Sequence, residues 1–451
     1  MITANWPVQG SPAWRLLNAG GVERPLPRQG GAKQTLRILH LLSQQPGRTG
    51  SGVYLQAMVQ HAARAGYVQR VIAGIPADAE TPALPHLERS RVHAVRFGGP
   101  DLPFPVAGMS DVMPYESTRF STFTADMLDR YLDAFRSVLM HMKENFRPDI
   151  IHSHHLWLVT ALARVVFPET PIVTTCHGTE LRQLDLAPHL APFVIPACSR
   201  VDRVMALHAE HRERIISRYG ISTDAVEVVG AGYRDDIFCP PEFSWSDGEQ
   251  TKTFDIVYAG KISRAKGVPW LIGALDRVRF PKGTKIRLLL AGSAGGDEGR
   301  VIQEEAARHG ESVVFLGAVH QEVLAHMLRE ADLFVLPSFY EGLPLVVLEA
   351  LASCCRVVVT DLPGMDHWLP GDLDVLGVVE RVQLPPLIGP DEPDPSGLPA
   401  FVEDLAAAIT RQIHRCAGDE PDWHSAVLCH LAPMNWEGIF RKVDRVYRDV
   451  L

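Results

Sequence analysis

Phe254-Asp-Ile-Val-Tyr-Ala259, followed directly by Gly260-Lys-Ile-Ser-Arg-Ala-Lys-Gly267, is the stretch of sequence that decides the fold. The first segment is short and rich in β-branched and aromatic side chains, which predicts a buried strand. The second segment is a polar loop that ends in glycine, and residues 268–278 then carry apolar side chains at helical spacing. A strand, a short loop and a helix in this order form the repeating unit of a parallel sheet with helices on its faces.

This unit recurs along the chain in two series. We predict strands of the first series at residues 35–42, 68–75, 149–153, 171–175, 203–207 and 226–229, and helices at 53–65, 124–145, 158–166 and 208–219. Strands of the second series are predicted at residues 254–259, 285–291, 312–316, 332–336 and 356–360. The pattern predicts an α/β protein with two Rossmann-like doubly wound domains, whose ligands bind beyond the carboxyl ends of the strands.

The length of 451 residues also favours two domains, because it exceeds what a single core usually supports. We predict a loosely ordered leader at residues 1–34, an N-terminal domain at 35–240, a C-terminal domain at 253–435, and a surplus helix at 436–451. The Pro-containing polar segment 235–252 has the composition of a linker. Two Gly- and Pro-rich segments, 97–122 and 362–399, are predicted to be long loops, which are often functional.

Composition excludes several classes of protein. The formal net charge is −9, so no global basic field exists to attract nucleic acid. The seven cysteines are odd in number and form no Cys-x-x-Cys pair, which favours reduced thiols over disulfides or a zinc site. The chain contains no run of about 18 apolar residues and no apolar signal core. We therefore expect a cytoplasmic enzyme without a transmembrane segment.

The most informative motif is Ser338-Phe-Tyr-Glu-Gly-Leu-Pro-Leu-Val-Val-Leu-Glu349, which follows a predicted strand. Pro344 suits the start of a helix, whose N-terminal amides and dipole favour an anion such as a diphosphate. Glu341 lies just before that turn, and Glu349 lies among apolar neighbours, where ribose hydroxyls would supply hydrogen-bond donors. The alternative is that Glu341 is an ordinary loop residue and Glu349 a solvated helix position.

Three further loops follow predicted strands. Lys261 and Lys266 in the loop 260–267 are suited to neutralise a departing diphosphate, although a solvated charged loop is the alternative. The Gly-rich segment 47–53 is a weak anion cradle or an ordinary turn. His177, in Thr175-Cys-His-Gly-Thr-Glu180, is either a donor to a sugar hydroxyl or phosphate, or a structural histidine.

A metal site is not expected. The run His152-Ser-His154-His155 is rich in potential ligands, but we expect side chains this close in an extended segment to point in different directions, and no convincing carboxylate accompanies them. The Asp372-Leu-Asp374 pair lies within a predicted loop rather than at a strand end.

Taken together, these elements resemble the family 4 glycosyltransferases, which have the GT-B fold. Four motifs occur in the family's order: Gly260-Lys-x(4)-Lys266-Gly, Leu290-Ala-Gly292-Ser, Val314-Phe-Leu-Gly317 and Glu341-x(7)-Glu349. The resemblance extends over nearly the whole chain from Thr35. It implies two domains that face a central cleft, with a nucleotide sugar bound mainly by the C-terminal domain and an acceptor mainly by the N-terminal one. It also implies that the final helix crosses back to the first domain.

The resemblance implies a role for each matching position. Glu341 would contact the donor sugar, Glu349 the ribose, and His177 the sugar near the reacting centre. The residues implied to be catalytic are His177, Lys266 and Glu341. Those implied to bind the donor are Gly50, Ser51 and Gly52 from the facing domain, together with Lys261, Lys266, Gly342, Leu343, Leu345, Val346 and Glu349.

Two positions depart from the family. Lys261 stands where Arg is usual, which would remove bidentate pairing with the diphosphate. Pro344 stands where many members have Gly, so the neighbouring residues must supply the amides.

The implied mechanism retains the anomeric configuration and uses no protein nucleophile. The acceptor attacks from the face that the diphosphate leaves, and a phosphate oxygen takes the acceptor proton. The lysines stabilise the leaving group, so neither a metal nor another cofactor is expected. The nucleobase, UDP and GDP being the candidates, stays open, and so does the oligomeric state, a homo-oligomer included.

We expect a soluble, hydrophilic acceptor, either a small molecule or a saccharide. The charges in His208-Ala-Glu-His-Arg-Glu-Arg214 are mixed, and such a patch would hold an anionic membrane poorly. The loop 97–122 instead carries polar side chains on a shaped segment, although a surface insertion without function is the alternative. The residues predicted on the acceptor side are Tyr115, Arg119, His154 and Glu180.

Other functions stay open at this point. A dinucleotide-dependent oxidoreductase would need fingerprint glycines that neither domain has after its first strand. A sugar-nucleotide epimerase of the GT-B fold would need a different acid/base set. A non-catalytic sugar-binding protein would not need Glu341 or the lysines. A glycosyltransferase that acts on a membrane lipid or a polysaccharide precursor is a further alternative.

Overall fold

The computed structural model describes residues 35–47, 49–110, 113–241, 253–369, 371–389, 391–416 and 423–451. The predicted leader, residues 1–34, lies outside the described residues. The chain divides into two compact units: the first runs up to Ala231 and also contains Trp436–Leu451, and the second is Gly232–Asn435.

The first unit is built on a parallel sheet of seven strands in the order β3-β2-β1-β6-β7-β8-β9, and a short parallel pair, β4 and β5, lies apart from it. Its strands are β1 (Arg37–Leu42), β2 (Val68–Pro76), β3 (Val92–Phe97), β4 (Ala107–Gly108), β5 (Thr118–Arg119), β6 (Ile150–His154), β7 (Ile172–Thr175), β8 (Arg203–Ala206) and β9 (Val226–Val228). Its helices are α1 (Gly50–Arg64), α2 (Ala125–Asn145), α3 (Leu158–Val166), α4 (Thr179–Leu186), α5 (Ala191–Cys198) and α6 (Ala209–Tyr219).

The second unit has a parallel sheet of six strands in the order β12-β11-β10-β13-β14-β15. Its strands are β10 (Thr253–Ala259), β11 (Lys285–Ala291), β12 (Val313–Gly317), β13 (Leu333–Leu336), β14 (Arg356–Asp361) and β15 (Val379–Gln383). Its helices are α7 (Val268–Ala274), α8 (Gly296–Ala306), α9 (Gln321–Glu330), α10 (Leu345–Ala352), α11 (Asp372–Val375), α12 (Leu398–Cys416) and α13 (His424–Leu431). Both sheets reverse their strand order once, and that switch point is where doubly wound folds bind ligands.

The last helix, α14 (Trp436–Asp449), belongs to the first unit. It buries one apolar face, which includes Ile439 and Val443, and it packs on α1. Tyr447 on the same face engages Nδ1 of the buried His152 through its hydroxyl at 2.7 Å. The helix that is surplus to the second unit therefore completes the core of the first.

The structure corrects three expectations. Residues 232–240 were predicted in the N-terminal domain, but they pack with the second unit because Phe238 is buried in its core. Segment 362–399 was predicted as a loop, yet it contains α11 and β15. Strand β15 has only two buried valines at the sheet edge, which makes its sequence pattern weak. Strand β3 was not predicted; it lies between the predicted strand at 68–75 and the predicted helix at 124–145.

None of the seven cysteines forms a disulfide bond. Among the helices of the described residues, none is long and apolar enough to cross a membrane.

Candidate functional site

In the second unit, the predicted donor-binding loops meet at the switch point of the sheet. Strands β10 and β13 are hydrogen-bonded neighbours, and the sheet order reverses between them. The lysine-containing loop 260–267 follows β10, and the loop 337–344 that carries Glu341 follows β13. Because parallel strands end at the same edge, both loops lie in the crevice where such sheets bind ligands.

The side chains of Lys266 and Glu341 form an ion pair at this edge. The Lys266 ammonium lies 2.8 Å from Oε2 of Glu341 and donates to the Tyr340 carbonyl oxygen at 2.9 Å. The Ser338 hydroxyl donates to Oε1 of Glu341 at 2.7 Å. The side chain of Lys266 is 26% exposed and that of Glu341 is 18% exposed, so a ligand can reach both. The geometry thus presents a cation and a carboxylate side by side.

A close approach of two backbones holds these loops together. Gly267 has φ +72°, and a Cβ atom added there would lie 2.0 Å from the Pro337 carbonyl oxygen. The Phe339 amide also donates to the Ala265 carbonyl oxygen at 3.1 Å. Gly267 is therefore required both for its left-handed conformation and for the space.

Tyr258 contacts the beginning of the lysine-containing loop 260–267. Its buried hydroxyl donates to the Lys261 carbonyl oxygen at 2.7 Å. Burial, and secondly the charge of Glu341, raise the pKa of Tyr258 above its usual value, so the hydroxyl keeps its proton. The Lys261 side chain itself is exposed.

Glu349 lies on α10 and is only 7% exposed. Burial raises its pKa to about 7, and the charge of Arg234 offsets this rise only in part. This carboxyl group is therefore not the solvated helix residue that was the alternative, and it is poised to gain donors from a ligand.

The start of α10 differs in detail from the prediction. Pro344 precedes the helix rather than lying in its first turn, and the Leu345 amide donates to the Leu343 carbonyl oxygen at 2.9 Å. The predicted role of the Leu345 amide is therefore corrected, because that N–H is engaged within the chain. Gly342 is exposed and Val346 half-buried, and their roles stay predictions.

In the first unit, the Gly-rich segment forms the first turn of α1. Thr49 caps this helix, accepting a hydrogen bond from the Gly52 amide at 3.1 Å. A Cβ atom at Gly52 would lie 2.4 Å from the Gly47 nitrogen, so this turn is tightly folded on itself. Gly50 is exposed, whereas the Ser51 hydroxyl is buried and accepts from the Gln44 amide at 2.7 Å. The helix N-terminus is a suitable anion site, but the Ser51 side chain serves the loop.

His177 follows β7 and is half-buried. Burial lowers its pKa to about 3, so the imidazole is neutral near pH 7. Its Nε2 lies 3.4 Å from Nδ1 of His154, and its backbone amide donates to Oε1 of Glu180 at 2.9 Å.

The predicted acceptor-side residues do not all reach a surface. Glu180 is fully buried and His154 is 2% exposed, so the prediction that these two side chains contact an acceptor is corrected: both lie behind the His177 loop. Tyr115 is half-buried against the core of the first unit, and Arg119 is exposed on β5. For the latter two the role stays a prediction.

The histidines are arranged otherwise than expected. His152 and His154 lie on one face of β6 with stacked rings, and His40 from β1 joins them, with ligand atoms within 4.8 Å of one another. Only His155 points elsewhere. Both ring nitrogens of His152 are already engaged, by Tyr447 and Thr175. Nitrogen ligands of zinc lie about 3.4 Å apart, given bonds of about 2.0–2.1 Å in a tetrahedron, so this cluster would have to contract and break those bonds.

Two other features do not join the site. Asp374 of the Asp-x-Asp pair forms an ion pair with Arg381 at 2.9 Å. A pocket of about 550 Å³ lies between residues 236–241 and α9, and it contains none of the predicted site residues.

Several residues at these sites were not predicted from the sequence. Gln44, His155, Tyr258 and Ser338 are buried or nearly so and act by hydrogen bonding to the predicted residues or their loops. Ser338 was quoted as part of its motif, but the pattern gave no sign of a bond to Glu341. Each of the four lies at or just beyond the end of a strand. This position is the only feature of the sequence that could have marked them as residues of a site.

Comparison with known proteins gives two family models. Residues 48–236 match the model described as Glycosyltransferase Family 4, and residues 253–378 match the one described as Glycosyl transferases group 1. Together the two ranges cover well over half of the chain. A glycogen synthase of Mycobacterium tuberculosis is 30% identical over 240 residues, which make up 49% of this chain and 54% of that protein. The chain thus spans about half the length of the curated relatives that it matches first.

Solved structures share the fold across both units. A glycosyltransferase from Rickettsia africae superposes with a TM-score of 0.64 at 13% identity and covers 93% of this chain and 99% of its own. The Anabaena protein HepE in complex with UDP-glucose has a TM-score of 0.56 at 15% identity, covering 92% and 100%. These neighbours confirm the GT-B fold that the motifs predicted.

The close approach at Gly267 yields a prediction with a matched control. Gly267→Ala should lower the free energy of unfolding by more than the roughly 1–2 kcal/mol that a left-handed alanine costs, because its Cβ atom also meets the Pro337 carbonyl group. Gly283→Ala in the same unit isolates the conformational cost, since Gly283 has φ +85° and open space around its Cβ position. Urea unfolding measures both. Equal losses for the two variants would show that the backbones do not touch as described.

Proposed function

The chain belongs to the family 4 glycosyltransferases, and on that premise we propose that it transfers a sugar from a nucleoside diphosphate sugar to an acceptor with retention of anomeric configuration. The observation that carries the proposal is the pairing of Lys266 with Glu341 at the switch point of the second unit. A diphosphate needs a cation at this place, and a sugar needs a hydrogen-bond acceptor beside it. The pair offers both.

Lys266 stabilises the leaving group in this proposal. Its ammonium has three N–H donors, of which Tyr340 and Glu341 take two, so one remains for a phosphate oxygen. The negative charge that develops on the departing diphosphate strengthens this contact in the transition state, which is the condition for a contribution to rate. The exposed Lys261 is a second cation for the same group.

Glu341 and Glu349 bind hydroxyls of the donor. Glu341 is held by Ser338 and Lys266, so its carboxylate is oriented before the sugar arrives. Burial outweighs the charge of Arg234 at Glu349, and ribose hydroxyls that donate to this carboxyl group would satisfy it. The neutral imidazole of His177 donates to, or accepts from, a sugar hydroxyl near the reacting carbon.

The chemical step needs no protein nucleophile. The bond from the anomeric carbon to the diphosphate breaks, the acceptor oxygen bonds to that carbon from the same face, and its proton passes to a phosphate oxygen. The protein contributes orientation and stabilisation of charge. Metal independence belongs to this proposal, because Lys266 supplies the charge that a divalent ion would otherwise supply.

The acceptor is proposed to be a soluble, hydrophilic molecule that contacts the loop 97–122. Arg119 is exposed there, and Tyr115 offers a half-buried aromatic side chain. Such polar groups on a shaped segment suit a small polar molecule.

The proposal is tested by incubating the protein with UDP-glucose or GDP-mannose and measuring release of the nucleoside diphosphate. Slow hydrolysis is expected even without an acceptor, and proton NMR at early times should show the α-anomer of the released sugar. The rate should be unchanged by EDTA. Initial release of the β-anomer would contradict retention, and a loss of rate in EDTA that magnesium restores would contradict metal independence.

Glu341→Ala should reduce kcat for UDP-glucose hydrolysis by roughly 100-fold, the effect of removing one preorganised polar contact at a reacting centre. The fold should persist, because the side chain is partly exposed and lies on a loop. Glu304→Ala, which removes an exposed glutamate on α8 of the same unit, is the control and should leave kcat unchanged. Near-normal turnover by the Glu341 variant would remove this residue from the site.

The raised pKa of Glu349 predicts a pH dependence of donor binding. Ribose hydroxyls that donate to the carboxylate favour its charged form, so the bound state holds fewer protons than the free one. The affinity for UDP-glucose, whose phosphates do not titrate in this range, should therefore weaken as the pH falls below about 7, by up to about tenfold per pH unit. Calorimetric titration of Glu349→Gln should give a pH-independent affinity instead. A wild-type affinity that does not change between pH 8 and 6 would contradict the ribose contact.

A second measurement on the same variant needs no ligand. The folded-state pKa of Glu349 lies above the unfolded value of about 4.3, so the folded protein holds the proton more tightly. The stabilisation is complete below the unfolded pKa and is lost as the pH rises to about 7. Glu349→Gln should lack this loss. As the pH rises through that window, its free energy of unfolding should therefore increase relative to that of the wild type.

A further inference from the structure

Glu180 is a charged group in the interior of the first unit. Its side chain is fully buried, and its Oε1 atom accepts from two backbone amides, His177 at 2.9 Å and Leu156 at 3.2 Å. Its Oε2 atom lies 3.4 Å from Nδ1 of His155. Burial alone would raise the pKa of Glu180, but His155 and His177 hold it below the usual value. A buried carboxylate with this many donors is ionised and fixed in place.

A chain of hydrogen bonds leads from Glu180 to the loop before α1. His155 places its other ring nitrogen, Nε2, 3.5 Å from the Gln44 amide nitrogen. That same amide nitrogen also donates to Ser51 at 2.7 Å and lies 3.1 Å from the Thr49 hydroxyl, so its second hydrogen is shared between Thr49 and His155. The Gln44 carbonyl oxygen accepts from the Met109 backbone amide at 3.2 Å. The chain thus connects the His177 loop, the first turn of α1 and the long loop 97–122.

The direction of every bond in this chain is determined by its two ends. The Met109 amide can only donate, so the Gln44 oxygen faces it and the Gln44 nitrogen faces His155. His155 then accepts at Nε2 and donates from Nδ1, whose acceptors are Oε2 of Glu180 at 3.4 Å and the Thr179 hydroxyl oxygen at 3.3 Å; the Thr179 hydroxyl in turn donates to the same Oε2 at 3.4 Å. The His177 and Leu156 amides require a second acceptor at Oε1. A carboxylate accepts on both sides, from the two backbone amides at Oε1 and from His155 and the Thr179 hydroxyl at Oε2.

We propose that Glu180 is a positioning residue of the transfer site, which fixes the hydrogen-bond direction along Glu180, His155 and Gln44 and thereby holds His177 and the first turn of α1 in one arrangement. The proposal rests on the function proposed above, which places His177 beside the reacting carbon of the sugar.

The local backbone supports the same conclusion. His155 is not glycine, yet it has φ +77°, a left-handed conformation that persists in other residues only where the surroundings hold it. Its amide donates to the Thr175 carbonyl oxygen at 3.0 Å, and its ring is held by Glu180 and Gln44. His155, whose backbone conformation is strained, therefore lies at the centre of this chain of hydrogen bonds.

Glu180→Gln tests the role of the charge, because it preserves shape and removes one acceptor. If the new amide nitrogen faces His155, it meets the Nδ1 proton, donor against donor, and only the Thr179 hydroxyl then accepts from Nδ1; if the imidazole reverses instead, Nε2 meets the Gln44 nitrogen, donor against donor. If it faces the other way, it meets the His177 and Leu156 amides. One bond of the chain breaks in either case. Hydrolysis of UDP-glucose should lose at least about tenfold in kcat, as expected for a displaced catalytic group, with little change in KM because the donor is held by the second unit.

A second substitution, Gln44→Glu, at the other end of this chain of hydrogen bonds should restore the activity that Glu180→Gln loses. In the double variant Glu180→Gln/Gln44→Glu, the amide at position 180 donates to Nδ1 of His155, and Nε2 then donates to the carboxylate at position 44. That carboxylate still accepts from the Met109 amide, and the Ser51 hydroxyl, which accepts from Gln44 in the wild type, now donates to it. All bonds are restored in the opposite direction, so the double variant should recover most of the kcat that Glu180→Gln loses. Glu210→Gln, which removes an exposed glutamate in the first turn of α6, is the matched control.

A readout without substrate separates this proposal from the proposed function. Nitrogen-15 NMR of the His155 ring should show a proton on Nδ1 in the wild type and on Nε2 in the double variant. An unchanged tautomer, or a double variant no more active than Glu180→Gln, would overturn the proposal. Equal kcat for Glu180→Gln and wild type would overturn it too. If the wild type hydrolyses no nucleotide sugar, the proposed function fails and with it the role in transfer, whereas the tautomers still test the hydrogen-bond direction.

Discussion

The contact between the backbones of Gly267 and Pro337 is the constraint on which the rest of the second unit's site depends. It holds the loop after β10 against the loop after β13, and no side chain larger than hydrogen fits between them. The Lys266 ammonium and the Glu341 carboxylate then meet at 2.8 Å in the crevice where the strand order reverses. A cation and an acceptor at fixed spacing are what a donor with a diphosphate and a sugar requires.

The first unit uses a different physical device. Its groups beyond the strand ends are joined by hydrogen bonds rather than by a cation, and the buried Glu180 gives these bonds their direction. Neutral histidines suit this interior, because burial lowers the pKa of His177 to about 3 and that of His154 well below its usual value. Preorganised polar groups in a buried setting cost little to reorganise during a reaction.

The sequence predicted the fold well because both domains carry a strong and repeated signal. Strand β11, at Lys285–Ala291, matched the predicted bounds, and so did α3 at Leu158–Val166. Weakly patterned elements escaped, as β15 did, since an edge strand buries few side chains. At the site, family motifs identified Lys266 and Glu341, but no pattern could show that Glu180 faces inward. Its orientation depends on His155 and Gln44, which are distant in sequence and adjacent only in the folded unit.

We propose that Lys266 and Glu341, on the two loops that meet beyond β10 and β13, hold a nucleoside diphosphate sugar. Calorimetric titration with UDP-glucose tests it most directly, with wild type, Lys266→Met and the control Lys282→Met, an exposed lysine of the same unit. The account predicts that Lys266→Met weakens binding by about tenfold or more, because a phosphate loses its charged partner, while Lys282→Met binds as the wild type does. Equal affinity of the Lys266→Met variant and the wild type would show that Lys266 does not bind the diphosphate.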